Sequence, residues 1–399
     1  MERYTPLEYI KMDIASAFGK DKLVWKDRLA WYEANKDNLD FTKADEPARA
    51  RAGIDALEKA YKGIATGFMC AMDATYSGLQ MYGILLGCKN ACILTNAVNS
   101  GRRVDGYTEL YNLVKKICPN VTGLTRQDIK DAIMQYFYGG TKTAKETLGE
   151  AGYKALEQVV EEYLYEPYFI RNYLLDNWDS TAEEYSWVLP DNFHVVAEVM
   201  DTEYFSFTFK EEKYTFAHKV KQPTNNGKFL GANLVHSVDG FILREMVARC
   251  MYNQNKIDKL RKVQYSKTKV ANLSENTLKD YKAITDLLEL GKKSGFYSTR
   301  ILDYVNENNY SLVPEEILRD ILNRLPEKRF DMMTVHDCFF CHPNYVQDMR
   351  EQYRNCLVDL SKSNLMDFIF HQIFPNVNGS VGKTEDLTNE IAQEEYAIC

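Results

Sequence analysis

The sequence predicts an α+β chain that is predominantly helical, and three observations carry that prediction. Long stretches show helical charge pairs with few breakers. A short apolar run, Gly67 to Met72, ends on Asp73. Two more short runs, Phe330–Val335 and Cys338–Cys341, flank His336-Asp337 and read as a small antiparallel sheet. At 399 residues the chain is long enough to divide into several subdomains.

Composition narrows the classes. Hydrophobic residues make up 45% and aromatics 13%, which excludes wholesale disorder. There is no run of about 18 apolar residues, so a spanning helix and a membrane role are not expected. Met-Glu-Arg-Tyr-Thr-Pro is not a basic-then-apolar leader, so the nine cysteines read as reduced thiols inside a cell. The balance of 49 basic against 57 acidic residues, net −8, excludes a body coated in positive charge but allows a basic cleft. Charge is uneven: Lys256 to Lys269 holds six basic residues against Asp258, and Glu385 to Glu395 holds five acids and no base.

Taken in order, Tyr9 to Ala60 reads largely as helix, with Pro47 in a first turn that Asp45 can cap. The run ending at Asp73 reads as a buried strand, and Ser77 opens a helix through Leu86. A second helix runs from Thr125 to Tyr138, and 146–175 is helical again. Glu203 to Val220 alternates like a hairpin around Lys210-Glu211-Glu212-Lys213. Residues 240–325 are mostly helical, with a polar break at Ser266 to Asn276. Asp337 then sits at the tip of a tight hairpin.

Asp73 and Asp337 are the first candidate site residues. Each follows an apolar strand, and a carboxylate buried there needs a cation. Two such carboxylates on one sheet suit Mg²⁺, which takes a few carboxylates plus substrate phosphates. Singly, each is better explained as a turn residue. The helix from Thr125 adds a second pattern. At about 100° per residue, Arg126, Lys130 and Tyr138 fall within roughly 120° of one face. A planar fork and a compact ammonium in a row suit a triphosphate. The bland alternative is a charged face ending at the Gly139-Gly140 cap. His236 follows an apolar pair and alone reads as structural. Cys338-Phe-Phe-Cys341-His342 matches a haem-attachment or zinc pattern, but it reads better as apolar strand.

Together these segments resemble the single-subunit DNA-dependent RNA polymerases of bacteriophages and mitochondria. Asp73-Ala-Thr-Tyr-Ser-Gly-Leu-Gln80 resembles that family's motif A. Arg126, Lys130 and Tyr138-Gly139 resemble motif B. His236-Ser-Val-Asp-Gly240 resembles the His-Ser-x-Asp-Gly segment, and His336-Asp337 motif C. Tyr9 to Ala15, with Lys11, resembles the segment before the palm. Asp45-Glu46-Pro47, Trp187 to Phe193, Leu365 to Phe368 and Glu395 to Cys399 match further family segments, the last being a tail that folds back toward the site.

The resemblance implies a right-hand palm with a small antiparallel sheet and helical fingers, with the N-terminal and thumb parts missing. The implied divisions are 1–66, a flanking helical segment; 67–105, palm with motif A; 106–185, fingers with motif B; 186–252, palm strands and hairpin; 253–325, a basic helical insertion; and 326–399, palm with motif C and tail. It implies two Mg²⁺ ions held by Asp73, Asp337 and the Ala74 carbonyl, where the family often has Gly. Lys11, Arg126 and Lys130 hold the triphosphate, and Tyr138 and His236 sense the ribose. Gly139 and Gly140 admit the template.

The family's Asp-x-x-Gly-Arg segment belongs upstream of Lys11. The arrangement therefore resembles the split, two-subunit enzyme of some podophages. That implies a separate subunit supplying the N-terminal half, with DNA template, RNA product and NTPs as partners, in the cytoplasm of an infected bacterium. A family A DNA polymerase shares the motif B spacing, but this chain has Met134 where those enzymes carry an aromatic, and Cys338 where they carry Glu. A non-catalytic remnant of the fold is the other alternative.

Overall fold

In the computed structural model the described residues are 1–120, 123–137, 142–225, 227, 229–265 and 275–399. Tyr138, Gly139 and Gly140 lie outside them, as does most of the polar break at 266–276. The architecture is mostly helical α+β with small antiparallel sheets.

Three helices come first: α1 (Pro6–Ala15), α2 (Trp25–Asn35) and α3 (Pro47–Tyr61). Thr5 and Glu8 close α1 in a capping box. Pro47 does open α3, but the capping residue is Glu46 and it makes no side-chain cap bond. Asp45 instead lies against Gly19, whose φ of +72° and missing side chain allow the approach.

β1 (Cys70–Asp73) alternates, with Cys70 and Met72 buried, so Ala71 and Asp73 take the opposite face. It is followed by α4 (Ser77–Leu86), α5 (Lys89–Leu94) and α6 (Gly106–Ile117). α7 (Arg126–Phe137) buries Ile129, Ala132, Ile133, Tyr136 and Phe137, a helical stripe. The expected helix over 146–175 is two, α8 (Lys142–Tyr163) and α9 (Tyr165–Asp176).

β2 (Glu184–Val188) pairs with β3 (His194–Glu198), and β4 (Met200–Phe209) with β5 (Glu212–Lys221). The β4–β5 turn is tighter than the sequence suggests. Lys210 and Glu211 alone form it, at φ +48° and +68°, the backbone a two-residue hairpin needs.

α10 (Phe229–Cys250) leads to α11 (Gln254–Lys262), α12 (Glu275–Ser294) and α13 (Glu315–Arg324). β6 (Met332–Val335) and β7 (Cys338–Cys341) follow. Phe330 lies outside the strand, donating its N–H to the Cys250 carbonyl at 2.9 Å. The last helices are α14 (Val346–Lys362), α15 (Leu365–Ile373) and α16 (Thr388–Ile391).

The three-stranded sheet has the order β1-β7-β6, with Asp73 opposite Cys338. Its free edge on β1 is taken by residues 397–399: Thr75 N–H donates to Ala397 at 3.0 Å and Cys399 N–H to Asp73 at 3.0 Å. The main core runs from Tyr9 to Ile398 and joins both ends of the chain. A second cluster is formed wholly by residues 252–325.

These two bodies meet at a buried ionic network. Glu245 and Arg249 of α10 pair at 3.2 Å, and Arg249 and Arg324 both reach Asp359 of α14. Glu245 also accepts the Ser298 hydroxyl at 2.7 Å and the Thr299 N–H at 2.9 Å. The basic stretch from Lys256 is largely tied down locally: Lys256 donates to the Asp303 carbonyl, Lys259 pairs with Glu307, and Arg261 donates to the Pro326 carbonyl. Lys267 and Lys269 lie outside the described residues.

Candidate active site

A cleft of about 720 Å³ opens between β1, α6, α7, α10 and the β6–β7 turn. Asp73 and Asp337 both line it. Strand pairing brings them together: the Ala74 N–H donates to the Asp337 carbonyl at 3.1 Å, and Asp73 faces the residue after Asp337. Both turns are unusual. Tyr76, after β1, has φ +51°, and His336, before Asp337, has φ +54°, values rare without glycine.

The Asp73 carboxylate opens on the cleft yet is crowded by protein. Burial and then the charge of Asp337 push its pKa up to about 6, against the cations Lys22, Lys130 and Arg49. Among the described residues neither acid accepts a side-chain hydrogen bond or an ion pair. Nor, among them, is any group of three or more His, Cys, Asp or Glu side chains arranged to hold a metal. Two adjacent, unneutralised carboxylates do fit Mg²⁺, which binds through one or two carboxylates and completes its shell with phosphates and water.

The raised value makes a prediction about stability. A carboxyl whose pKa climbs on folding from the usual ~4 to about 6 favours the folded state while protonated. That contribution is complete below ~4 and is lost as pH rises through 6. Asp73→Asn is therefore expected to flatten the pH dependence of the metal-free unfolding midpoint across this window. It is also expected to leave the variant the more stable protein at alkaline pH. Unchanged pH dependence by thermal denaturation would contradict it.

Opposite the acids, α7 sets Arg126, Lys130 and Met134 four residues apart on the cleft face, while its buried stripe faces the core. The Arg126 guanidinium is held by Asp105 through two bonds of 2.7 Å. From α10, His236 and Asp239 also line the cleft. Asp239 accepts the Ser77 hydroxyl at 3.2 Å, and burial, then Asp337, push its pKa up to about 7. The Trp187 indole donates to Ser237 at 3.1 Å, tying β2 to this helix.

Lys11 is placed elsewhere. It pairs with Glu33 at 2.5 Å, beside the Tyr32 ring, and is not among the residues lining the cleft. The inward side of α1 is given to Asp13, which is buried and grips Arg49 at 2.6 Å while accepting the Ala71 N–H at 3.0 Å. Arg49 and Lys22 supply cleft cations that the sequence did not single out. Asp105 and Asp239 were missed as well. Asp239 sat inside a quoted segment, whereas an Asp at a helix start reads as a cap. The Cys338–His342 stretch is sheet: Cys341 is buried opposite Cys70, and His342 Nε2 lies 3.2 Å from the Thr66 carbonyl.

A strand end and a sheet turn thus bring two acids together, faced by a cationic helix. In comparisons with known proteins, residues 4–174 match the DNA-dependent RNA polymerase family. That match covers 171 of the 399 residues and is a similarity to a family of nucleotidyltransferases. Over 129 residues the chain is 30% identical to a DNA-directed RNA polymerase of Pseudomonas phage phiKMV, a distant homologue. The matched stretch is 28% of this chain and spans 16% of the phage protein. Asp73, Arg126 and Lys130 lie within the family match, whereas His236 and Asp337 lie beyond it and reach the same cleft through the fold. No helix among the described residues is long and apolar enough to cross a membrane.

Proposed function

We propose that this chain is the catalytic part of a DNA-directed RNA polymerase, adding nucleotides from NTPs to an RNA 3′-end on a DNA template, in the cytoplasm of an infected bacterium. In this reading 67–105, 186–252 and 326–399 form the palm, 106–185 the fingers and 253–325 an insertion. A second polymerase subunit is assigned as its partner. The single observation that carries the reading is the meeting of Asp73 and Asp337 at the β1–β7 pairing, in one cleft with Arg126 and Lys130.

Asp73, Asp337 and the Ala74 carbonyl are assigned to two Mg²⁺ ions. Bound Mg²⁺ activates the 3′-hydroxyl and stabilises the leaving pyrophosphate. The chain's own groups do the rest. Arg126 and Lys130 bind the triphosphate, where negative charge gathers during in-line transfer. The Lys130 ammonium, 5.7 Å from the Tyr107 ring centroid and among the cations acting on Asp73, is assigned to hand a proton to pyrophosphate. Lys11 joins this set only if Glu33 releases it. Tyr138 and His236 are assigned to the ribose 2′-hydroxyl, which distinguishes RNA precursors from DNA precursors. Gly139 and Gly140 are assigned to close approach of the template.

Primer extension on an RNA–DNA scaffold, with and without the second subunit, tests the reading. Template-dependent incorporation of ribonucleotides is expected. Its absence in both conditions leaves a non-catalytic binding module, and a preference for deoxynucleotides points to a DNA polymerase. Tyr138→Phe is expected to cut ribonucleotide preference by about tenfold or more, the loss of one hydrogen bond to a sugar hydroxyl. Competition between NTP and dNTP measures it, and unchanged selectivity removes Tyr138 from that role.

A further inference from the structure

Arg126 does not reach into the cleft as a free arm. Its Nε and Nη2 are committed to the two Asp105 oxygens, each at 2.7 Å, a bidentate fork that fixes the guanidinium plane. Asp105 is itself fixed. The Thr108 hydroxyl donates to it at 2.9 Å, and Gly106, beside it, packs so closely on the Leu94 carbonyl that a Cβ would lie 2.5 Å away. Burial raises the Asp105 pKa, but the Arg126 and Thr108 bonds outweigh it and hold the carboxyl below its ordinary value. Two of the five guanidinium N–H donors are thereby used, and those on Nη1 meet no acceptor among the described residues.

Tyr107, two residues on, supports the same row. Arg126 lies 5.3 Å and Lys130 5.7 Å from its ring centroid. The ring also stacks on Tyr76 at 5.1 Å, with 30° between planes. Tyr76 is the left-handed residue just after Asp73 and Ala74. A continuous stack therefore runs from the acid-bearing turn through two rings to two cations.

We propose that Asp105 and Tyr107 are positioning residues for the triphosphate-binding row, Asp105 gripping Arg126 by one edge and Tyr107 carrying both Arg126 and Lys130, so that their charges stand at a fixed place relative to Asp73. The inference rests on the nucleotidyl-transfer reading above. It extends that reading to residues that do not themselves bind the phosphates.

The test measures equilibrium binding of a fluorescent ribonucleoside triphosphate to the full chain, alongside primer extension. Asp105→Ala is expected to weaken binding and raise the NTP KM by about tenfold, the loss of a charge-assisted pair, with a smaller change in kcat. Asp105→Asn, which keeps an acceptor oxygen, is expected to fall between. Tyr107→Leu is expected to weaken binding severalfold, and Tyr107→Phe, which keeps the ring, to restore most of it. A double-mutant cycle decides the mechanism: in an Arg126→Ala background, Asp105→Ala is expected to add nothing. Additive losses, wild-type binding by Asp105→Ala, or no triphosphate binding by the wild-type chain each overturn the proposal. Triphosphate binding that responds to these variants, without primer extension, upholds the positioning role and sinks the polymerase reading instead.

Discussion

Asp337→Ala is expected to eliminate nucleotide addition while leaving the protein folded. The acid projects from a two-residue turn into an open cleft, so its removal deletes no core packing. What disappears is half of the paired negative charge. A metal clamp supplies several kcal/mol of transition-state stabilisation, so the rate should fall by about 10³-fold or more. Asp73→Ala should match it. The two changes together should cost little more than either alone, because the pair acts as a unit. Single-turnover extension with saturating template reads this out, and circular dichroism confirms folding. A variant at Asp337 that retains near-normal turnover defeats the assignment of this turn to catalysis.

The second large effect concerns stability. Glu245→Ala removes the acceptor that binds Arg249, Ser298 and Thr299 together between the two hydrophobic clusters. Arg249 and Glu245 are both almost wholly buried, and Arg249 already has one nitrogen, Nη1, without a described partner. Arg249 keeps Asp359 but loses its other carboxylate, so the roughly 3–5 kcal/mol cost of breaking a buried pair sets the upper end of the expected loss. Denaturant titration should show the midpoint falling, with residues 252–325 losing protection in hydrogen exchange before the main core. Glu245→Gln, which keeps one acceptor oxygen, should lose less. Equal and global destabilisation by both would locate the effect in general packing instead.

The parts of the fold written in local pattern were legible. The apolar run to Met72 read as a strand ending on Asp73, and the helical period put Arg126 and Lys130 on one face of α7. The tight turn at His336-Asp337 followed from the short runs on either side. What sequence could not give was set by distant partners. Lys11 sits on a helix whose inward side goes to Asp13, because Arg49 and the Ala71 N–H are there to satisfy a buried carboxylate. Asp105 looks like a helix cap until Arg126 lies against it, more than a helix away in sequence. The left-handed backbone of Tyr76 carries no local signal, since tyrosine does not favour that region, whereas histidine, as at His336, enters it more readily than most residues. Of the basic run after Lys256, Lys256, Lys259 and Arg261 are held by carbonyls and an acid of nearby chain that composition could not show.

The placement of β1 between β7 and residues 397–399 has a bearing on biosynthesis. The acid-bearing strand leaves the ribosome long before both neighbours that satisfy its backbone, β7 and residues 397–399. Until they emerge it travels with two bare edges, the kind of surface that chaperones retain and that aggregates if left uncovered. The two acids can meet only once β7 has been made, so a product stalled before it holds the cationic helix with Asp73 alone.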